Sequence, residues 1–409
     1  MAKILPIKRE SDTISPLDKL NWSDRNYSVL NNLICDYGIG GKYYDPQKPP
    51  YAVLDWDQTC AHFDVEEAVL HYQVFNFRFK LSKEQFRGIL KDDINGVTQL
   101  SADYQNLPLS DINNDLINDY NFLYDNFLTG NGSMSFTEIQ VTSEYRDFIS
   151  KILFLYAGYC STSGITDYYG YPWITYLLAG HTKSGIQIMA NEAITAELGN
   201  VLKKETLYSP ELFESKAGAI TVSFNTGLRV LPEMQNLIQT FKRYGIEVFI
   251  VSASYKPVVE VIAGIGNYGY HVPSENVIGM ELEADSDGKV LPEYKHGWVK
   301  TFREGKVEAI NRVIKGELGK TWDPLFSAID SDGDYEMATS FPGMKLTLIW
   351  NRVKGGDIGE LSQYASDQMD NLNPGYILQG RNENTGLALP CSESILLGST
   401  TLQLLKQHG

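Results

Sequence analysis

Short apolar runs that each end on a small polar or acidic residue, with amphipathic helical segments between them, constrain this chain more than any other feature. Tyr51 to Leu54 (YAVL) ends at Asp55, Glu247 to Val251 (EVFIV) at Ser252, and Leu325 to Ile329 (LFSAI) at Asp330. A fourth run, Lys345 to Trp350 (KLTLIW), follows. Runs of this length and character suit strands buried on both faces. The segment from Leu231 to Tyr244 has helical spacing, with Pro232 in its first turn and Gly245 just past its end. Lys306 to Ile314 (KVEAINRVI) reads as the helix before LFSAI. Helices alternating with apolar strands predict an α/β fold with a Rossmann-like parallel sheet, whose site lies beyond the carboxyl ends of the strands.

Between the first and second strands lies a long segment, residues 61–228. It is rich in Tyr, Phe, Asn and Leu and reads as helices over Val65 to Leu81, Lys83 to Lys91, Ser143 to Tyr156 and Ile186 to Leu198. This predicts a large, mainly helical cap (61–228) inserted after the first strand of a core made of 16–60 and 229–409. Before the first strand, Ser23 reads as the N-cap of a helix that presents Tyr27, Leu30, Leu33 and Ile34 on one face.

The sequence Asp55-Trp56-Asp57-Gln58-Thr59 puts two carboxylates two residues apart at a strand end. Beside Mg²⁺ a carboxylate there can attack phosphorus, and the second can protonate the leaving alkoxide and then deprotonate water. An ordinary acidic turn reads the same way in isolation. Ser252-Ala253-Ser254 offers a hydroxyl and backbone N–H groups at the next strand end, where a plain helix cap is the other reading. Gly305-Lys306 opens a helix with an ammonium that could neutralise phosphate charge or simply be solvated. Asp330-Ser331-Asp332-Gly333-Asp334-Tyr335-Glu336-Met337 clusters hard oxygen donors of the kind Mg²⁺ takes. An EF-hand needs Gly at position six and Glu at position twelve; counted from Asp330 those are Tyr335 and Phe341, and counted from Asp285 position twelve is His296. Asp285 to Gly288 reads instead as a hairpin turn.

In their order these elements resemble the haloacid-dehalogenase-like hydrolase superfamily, in its phosphoserine-phosphatase-like branch. The matching motifs are DWDQT (55–59), SAS (252–254), GK (305–306) and DSDGDYEM (330–337), with Ile329 in place of the usual glycine before the last. The resemblance implies Asp55 as nucleophile, Asp57 as acid/base, and Thr59, Ser252, Ala253 and Lys306 as phosphate-binding groups. It implies Mg²⁺ on Asp55, the backbone oxygen of Asp57, and Asp330, with Asp334 and Ser331 in support. The expected activity is a phosphatase; a phosphotransferase on the same scaffold has the same motifs, and a non-enzymatic binding protein is the reading from another class.

The formal charge of −16 argues against nucleic acid as a partner, which needs a basic face. It also implies that a phosphate ester finds local positive charge in its pocket or carries a cation at its other end. Glu66 and Glu67, eleven and twelve residues after Asp55, fit either an acidic first turn or a cationic head group. The run Asp167-Tyr168-Tyr169-Gly170-Tyr171-Pro172-Trp173 fits either a tyrosine-rich core or a set of faces for a quaternary ammonium. Glu66 and Glu67, DVEEAV and TFREGKVEAI are similar to bacterial phosphorylcholine phosphatases, which implies head-group roles for Glu66 and Glu67; the aromatic candidates for the same group, Tyr168, Tyr169, Tyr171 and Trp173, rest on their ring faces alone.

No stretch reaches the about 20 apolar residues needed to span a bilayer. The start, MAKILPIKRE, lacks a secretory pattern, so the chain reads as cytoplasmic as it stands, and as periplasmic or secreted if a leader has been removed. Cys35, Cys60, Cys160 and Cys391 are scattered and read as buried free thiols. The six histidines (His62, His71, His181, His271, His296, His408) show no metal spacing. Gly375 to Gly398 has strand-and-turn composition and no recognisable chemistry, and nothing in the sequence sets an oligomeric state.

Overall fold

The computed structural model describes residues 15–128, 132–165 and 169–406. Its centre is a six-stranded, fully parallel sheet: β1 (Tyr51–Leu54), β2 (Glu247–Tyr255), β3 (Val277–Met280), β4 (Phe326–Ile329), β5 (Leu346–Trp350) and β6 (Tyr376–Gln379), in the spatial order β6-β5-β4-β1-β2-β3. β1 is therefore central, and β4 and β2 lie on either side of it. Successive residues point to opposite faces. Ala52, Leu54, Val248 and Ile250 enter one core with Leu30, Leu33 and Ile34 of the helix Asp24–Tyr37 and Leu237 and Phe241 of the helix Pro232–Arg243. Tyr51, Val53, Phe249 and Val251 enter another with Ala309, Ile310, Ile314, Ile358 and Leu361. Two covered faces explain why the strands read as continuous apolar runs rather than alternating ones.

β2 continues past the Ser252 at which its apolar run ends, with a register irregularity against β3 between Val251 and Tyr255. The predicted helix at the start is present: the Ser23 side chain accepts from the Asn26 N–H and caps it.

At the two ends of residues 61–228 the chain forms a two-stranded ribbon, Ala61–His62 against Arg229–Val230. Between them the chain builds a mainly helical body with an aromatic core. Phe77, Phe79, Phe86, Tyr120 and Phe148 interlock there, and Phe86 stacks on Tyr120 at 3.9 Å. The helix predicted to Leu81 stops at Phe75, because Phe77 takes φ 46° and the Asn76 side chain donates to the Tyr72 carbonyl. That predicted to Lys91 spans Lys83–Gly88, and that predicted to Tyr156 extends to Ser161. Among the elements the sequence analysis did not anticipate are the helix Leu109–Leu123, whose Asn- and Asp-rich sequence has low helix propensity, and the hairpin Lys203–Tyr208/Thr221–Thr226. Packing decides both. The helix buries Ile112, Leu116, Tyr120 and Leu123, and its Asp115, with Asp147, pairs with the fully buried Lys151 at 2.8 and 2.6 Å.

The Asp285 turn joins two short antiparallel strands, Leu282–Ala284 and Val290–Tyr294. The four cysteines are free, but Cys35 is exposed and Cys60 is the fully buried one. Among the described residues no helix is long and apolar enough to cross a membrane.

Candidate active site

The carboxyl ends of β1, β2 and β4 open into a cleft of about 380 Å³, closed on the other side by residues of the inserted segment. β1 presents its acid by pairing and then turning. Parallel pairing holds the strand to its neighbour, and the Asp55 N–H donates to the Ala328 carbonyl at 3.1 Å. The chain then turns sharply, with Gln58 at φ 64°, and so releases the following side chains.

Lys306 is the centre of the site. It is buried, and its Nζ donates to Asp55 Oδ1 at 2.6 Å and Asp334 Oδ1 at 2.5 Å. The helix Glu304–Ala309 brings it there because Gly305 lies against the chain at Lys300: a Cβ on Gly305 would sit 1.6 Å from the Lys300 carbonyl oxygen. The Arg303 N–H donates to the Gly333 carbonyl at 2.8 Å, which ties this helix start to the Asp330 loop. Asp334 Oδ2 accepts from the backbone of Asp330 and Ser331 and from the Ser331 hydroxyl, each at 3.3 Å.

Carboxylate oxygens of Asp55, Asp330 and Asp334 lie within 4.8 Å of one another, all buried. Three hard oxygen donors at this spacing, open to a cleft, fit a Mg²⁺ that keeps water or substrate oxygens as its other ligands. Asp57 points elsewhere. Its Oδ1 accepts from the Val65 N–H at 2.8 Å and its Oδ2 from the Ser254 hydroxyl at 2.6 Å.

The electrostatics separate these acids. Burial, then Asp334, pushes Asp55 well above the usual carboxylate range, against the pull of Lys306. Burial, then Asp64, does the same to Asp57. Burial also acts on Asp330, but Arg352 and Lys354 outweigh it and hold that carboxyl below its ordinary value. Arg352 Nη1 donates to Asp330 Oδ2 at 2.6 Å, and the Lys354 ammonium stands 3.9 Å from the same oxygen. A divalent cation among these groups would favour their ionised forms.

Several predicted residues sit elsewhere than expected. Thr59 is fully buried behind the loop, its hydroxyl 3.4 Å from Asp330 Oδ1, so it supports a carboxylate rather than facing the cleft. Ser252 is also fully buried, its Oγ accepting from the Ser254 N–H; Ala253 and Ser254 line the cleft in its place. Of the predicted aromatics among the described residues, only Tyr171 lines it. Tyr169 and Trp173 both donate to the Ile89 carbonyl at 2.8 Å and pack in the core of the inserted segment, where burying a large ring outweighs exposing it. Tyr168 lies outside the described residues. Glu66 and Glu67 do line the cleft. Glu66 is buried and accepts from the Tyr255 N–H at 3.2 Å, and Glu67 is pushed up to about 8 by burial and by Asp64.

The structure adds lining residues that the sequence analysis gave no site role: Asp64, Tyr156, Phe302, Arg303, Arg352 and Lys354. Arg352 and Lys354 follow β5 directly, so the strand-end rule could have found them. Tyr156 was within reach only as part of a helix.

No protein-family model matches the chain. A solved structure of a conserved protein of unknown function from Anaerococcus prevotii DSM 20548 is 31% identical and superposes with a TM-score of 0.85, over 93% of this chain and 98% of that one. The phosphorylcholine phosphatase of Pseudomonas aeruginosa is 24% identical over 233 residues, 57% of this chain. The matched region is 49% of that relative, so the chain spans about half its length. The chain thus shares its fold along nearly its whole length with the A. prevotii protein, and its strand-end motifs, in order, are similar to those of the haloacid-dehalogenase-like superfamily in its phosphoserine-phosphatase-like branch.

Proposed function

We propose that the protein is a Mg²⁺-dependent phosphomonoesterase acting through an aspartyl-phosphate on Asp55. The observation that carries this is the clustering of the Asp55, Asp330 and Asp334 carboxylates at a small cleft, with Asp55 and Asp334 sharing the buried Lys306 ammonium. Asp55 and Asp330 would hold the ion with the backbone oxygen of Asp57, and Asp334, within reach of the same point, would hold Lys306 or a water on the ion. When bound, the ion supplies charge neutralisation and Lewis acidity at the phosphoryl oxygens.

In the first half-reaction an Asp55 oxygen attacks phosphorus, the P–O bond to the alcohol breaks, and the alkoxide takes a proton from Asp57. In the second, Asp57 removes a proton from water, the water oxygen attacks phosphorus, and the P–O bond to Asp55 breaks to release phosphate. Asp57 suits both steps: Ser254 and the Val65 N–H orient it, and burial favours its protonated form before attack. Lys306 and the backbone N–H of Ala253 stabilise charge on the transferring group. The division into a core of 16–60 and 229–409 and a cap of 61–228 is part of this reading, and the ribbon Ala61–His62/Arg229–Val230 at its junction supports it.

For the alcohol we propose a small cation-bearing group, phosphocholine or a similar ester. The far wall carries Asp64, Glu66 and Glu67 beside the rings of Tyr156, Tyr171 and Phe302, and the relative from P. aeruginosa bears that activity in its name. A second reading follows from Arg352 and Lys354, which add positive charge near the phosphate end and suit an ester with a further anionic group, such as phosphoserine. Phosphate release from a panel of esters with and without Mg²⁺ decides. Preference for phosphocholine supports the first reading, preference for phosphoserine or sugar phosphates overturns it, and transfer to an added alcohol without phosphate release would make the enzyme a transferase.

A further inference from the structure

The segment after β6 forms a small four-stranded sheet of Arg381–Asn382, Leu387–Ala388, Ser394–Ile395 and Leu402–Gln403. Its first residue is a fully buried arginine. A buried guanidinium is expensive unless its donors are matched; here both Nη groups are aimed at one place, while Nε has no partner among the described residues. Arg381 Nη1 donates to the Gln58 carbonyl and Nη2 to Gln58 Oε1, each at 2.6 Å. Gln58 is the residue between Asp57 and Thr59 that turns the loop with φ 64°, a conformation disfavoured for a side chain of this kind. The fork holds both the main chain and the side chain of that turn.

The same guanidinium faces Glu383 at 3.6 Å, and Glu383 stands 4.0 Å from Arg352, which grips Asp330. Glu383 is itself fixed. Its Oε2 accepts from the Leu397 N–H at 3.1 Å, and its carbonyl lies 3.0 Å from His62 Nε2. A chain of charged groups thus runs from the loop of Asp55 and Asp57, through the C-terminal sheet, to the Asp330 loop. Arg381 does not line the cleft, whereas Gln58 and Arg352 do.

We infer that Arg381 is a positioning residue: by clamping Gln58 in its left-handed turn it sets the loop that presents Asp55 and Asp57, so the C-terminal sheet is part of the active-site scaffold. The kinetic arm of this inference rests on the phosphatase reading; the structural arm does not.

The test uses the full chain. R381M is expected to lower kcat about 100-fold with KM changed less than threefold, the scale set by a misplacement of about 1 Å in a catalytic group. R381K, which can reach only one of the two acceptors, should fall between. Q58A should lower kcat about tenfold, and R381M/Q58A should be no slower than R381M, because the side-chain half of the clamp is already gone. Hydrogen exchange over residues 55–63 should quicken at least tenfold in R381M at a temperature where its global fold is intact.

If kcat is unchanged while only the melting temperature falls, or if the two single losses multiply in the double variant, the inference is wrong. Unchanged exchange over 55–63 overturns it as well. Should R381M not fold, R381K and Q58A give the same readouts. If the wild-type protein turns over no phosphate ester, the phosphatase reading fails on that result, and the exchange comparison alone decides the role of Arg381.

Discussion

Lys306→Met removes the one ammonium shared by Asp55 and Asp334 while keeping the length and burial of the side chain. The two contacts are 2.6 and 2.5 Å, and the lysine side chain is 1% exposed. At an effective dielectric near 20, each unit-charge contact at about 3 Å has a gross attraction of about 5 kcal/mol. Much of that is offset by desolvation of the ions, and removing one partner of a buried pair costs about 3–5 kcal/mol net. Domains of 150–250 residues shift by about 2–4 °C per kcal/mol, and larger chains by less, so the melting temperature in EDTA at neutral pH should fall by about 5–10 °C. Saturating Mg²⁺ should recover more of this in the variant than it adds to the wild type, because the ion supplies charge where the ammonium was. With the best ester of the panel, kcat should drop about 100- to 1,000-fold, the usual effect of deleting one preorganised charge-stabilising donor. Differential scanning calorimetry with and without Mg²⁺, beside steady-state phosphate release, measures both. An unchanged melting temperature in EDTA together with an unchanged kcat would refute the argument that Lys306 balances this acidic cluster.

Asp330→Asn should abolish the stabilisation by Mg²⁺ expected of the wild type, which at 100 times Kd is about 2.7 kcal/mol, and a calorimetric Mg²⁺ titration that still shows wild-type affinity would remove Asp330 from the ligand set. Acid should unmask two buried imidazoles. Burial, aided at His62 by Arg381, lowers His62 to about 2, and burial lowers His71 to about 4. Both stay neutral in the fold while the unfolded chain protonates near 6.5, so the unfolded state binds more protons between those values and stability falls as the pH drops below 6.5. Each contributes about 2 kcal/mol of loss by pH 5. His71→Phe, in a site already flanked by Phe75 and Phe224, should flatten the decline in chemical-denaturation stability between pH 6.5 and 5, and an identical slope in variant and wild type would show that His71 is not held neutral.

Most of the chemistry proposed for Asp55 was legible along the chain because the fold delivers it in short strings. A parallel strand buried on both faces is a run of apolar residues, and the residue after it must emerge at the sheet's carboxyl edge. Asp55, Asp330 and the Ser252 segment could be recognised from that alone, and Lys306 from its place beside Gly305. The cleft's other wall was not legible in this way. Trp173 and Tyr171 are two residues apart, yet one is buried on the Ile89 carbonyl and the other lines the cleft. No local pattern distinguishes them, since the difference lies in which helix of the inserted segment packs against which.

The alternation of strands and helices, the insertion after β1, and the acids and lysine at the strand ends were determined by the sequence alone, because local periodicity and strand direction dictate them. Only the tertiary structure decided that Thr59 and Ser252 turn inward, that Arg352 and Lys354 join the site, and that Arg381, 323 residues after Gln58, holds the turn beside Asp57. Those contacts depend on how distant segments pack, and a buried guanidinium carries no local signature in sequence. Its partners are chosen by the requirement that a charge taken out of water be matched wherever the fold places it.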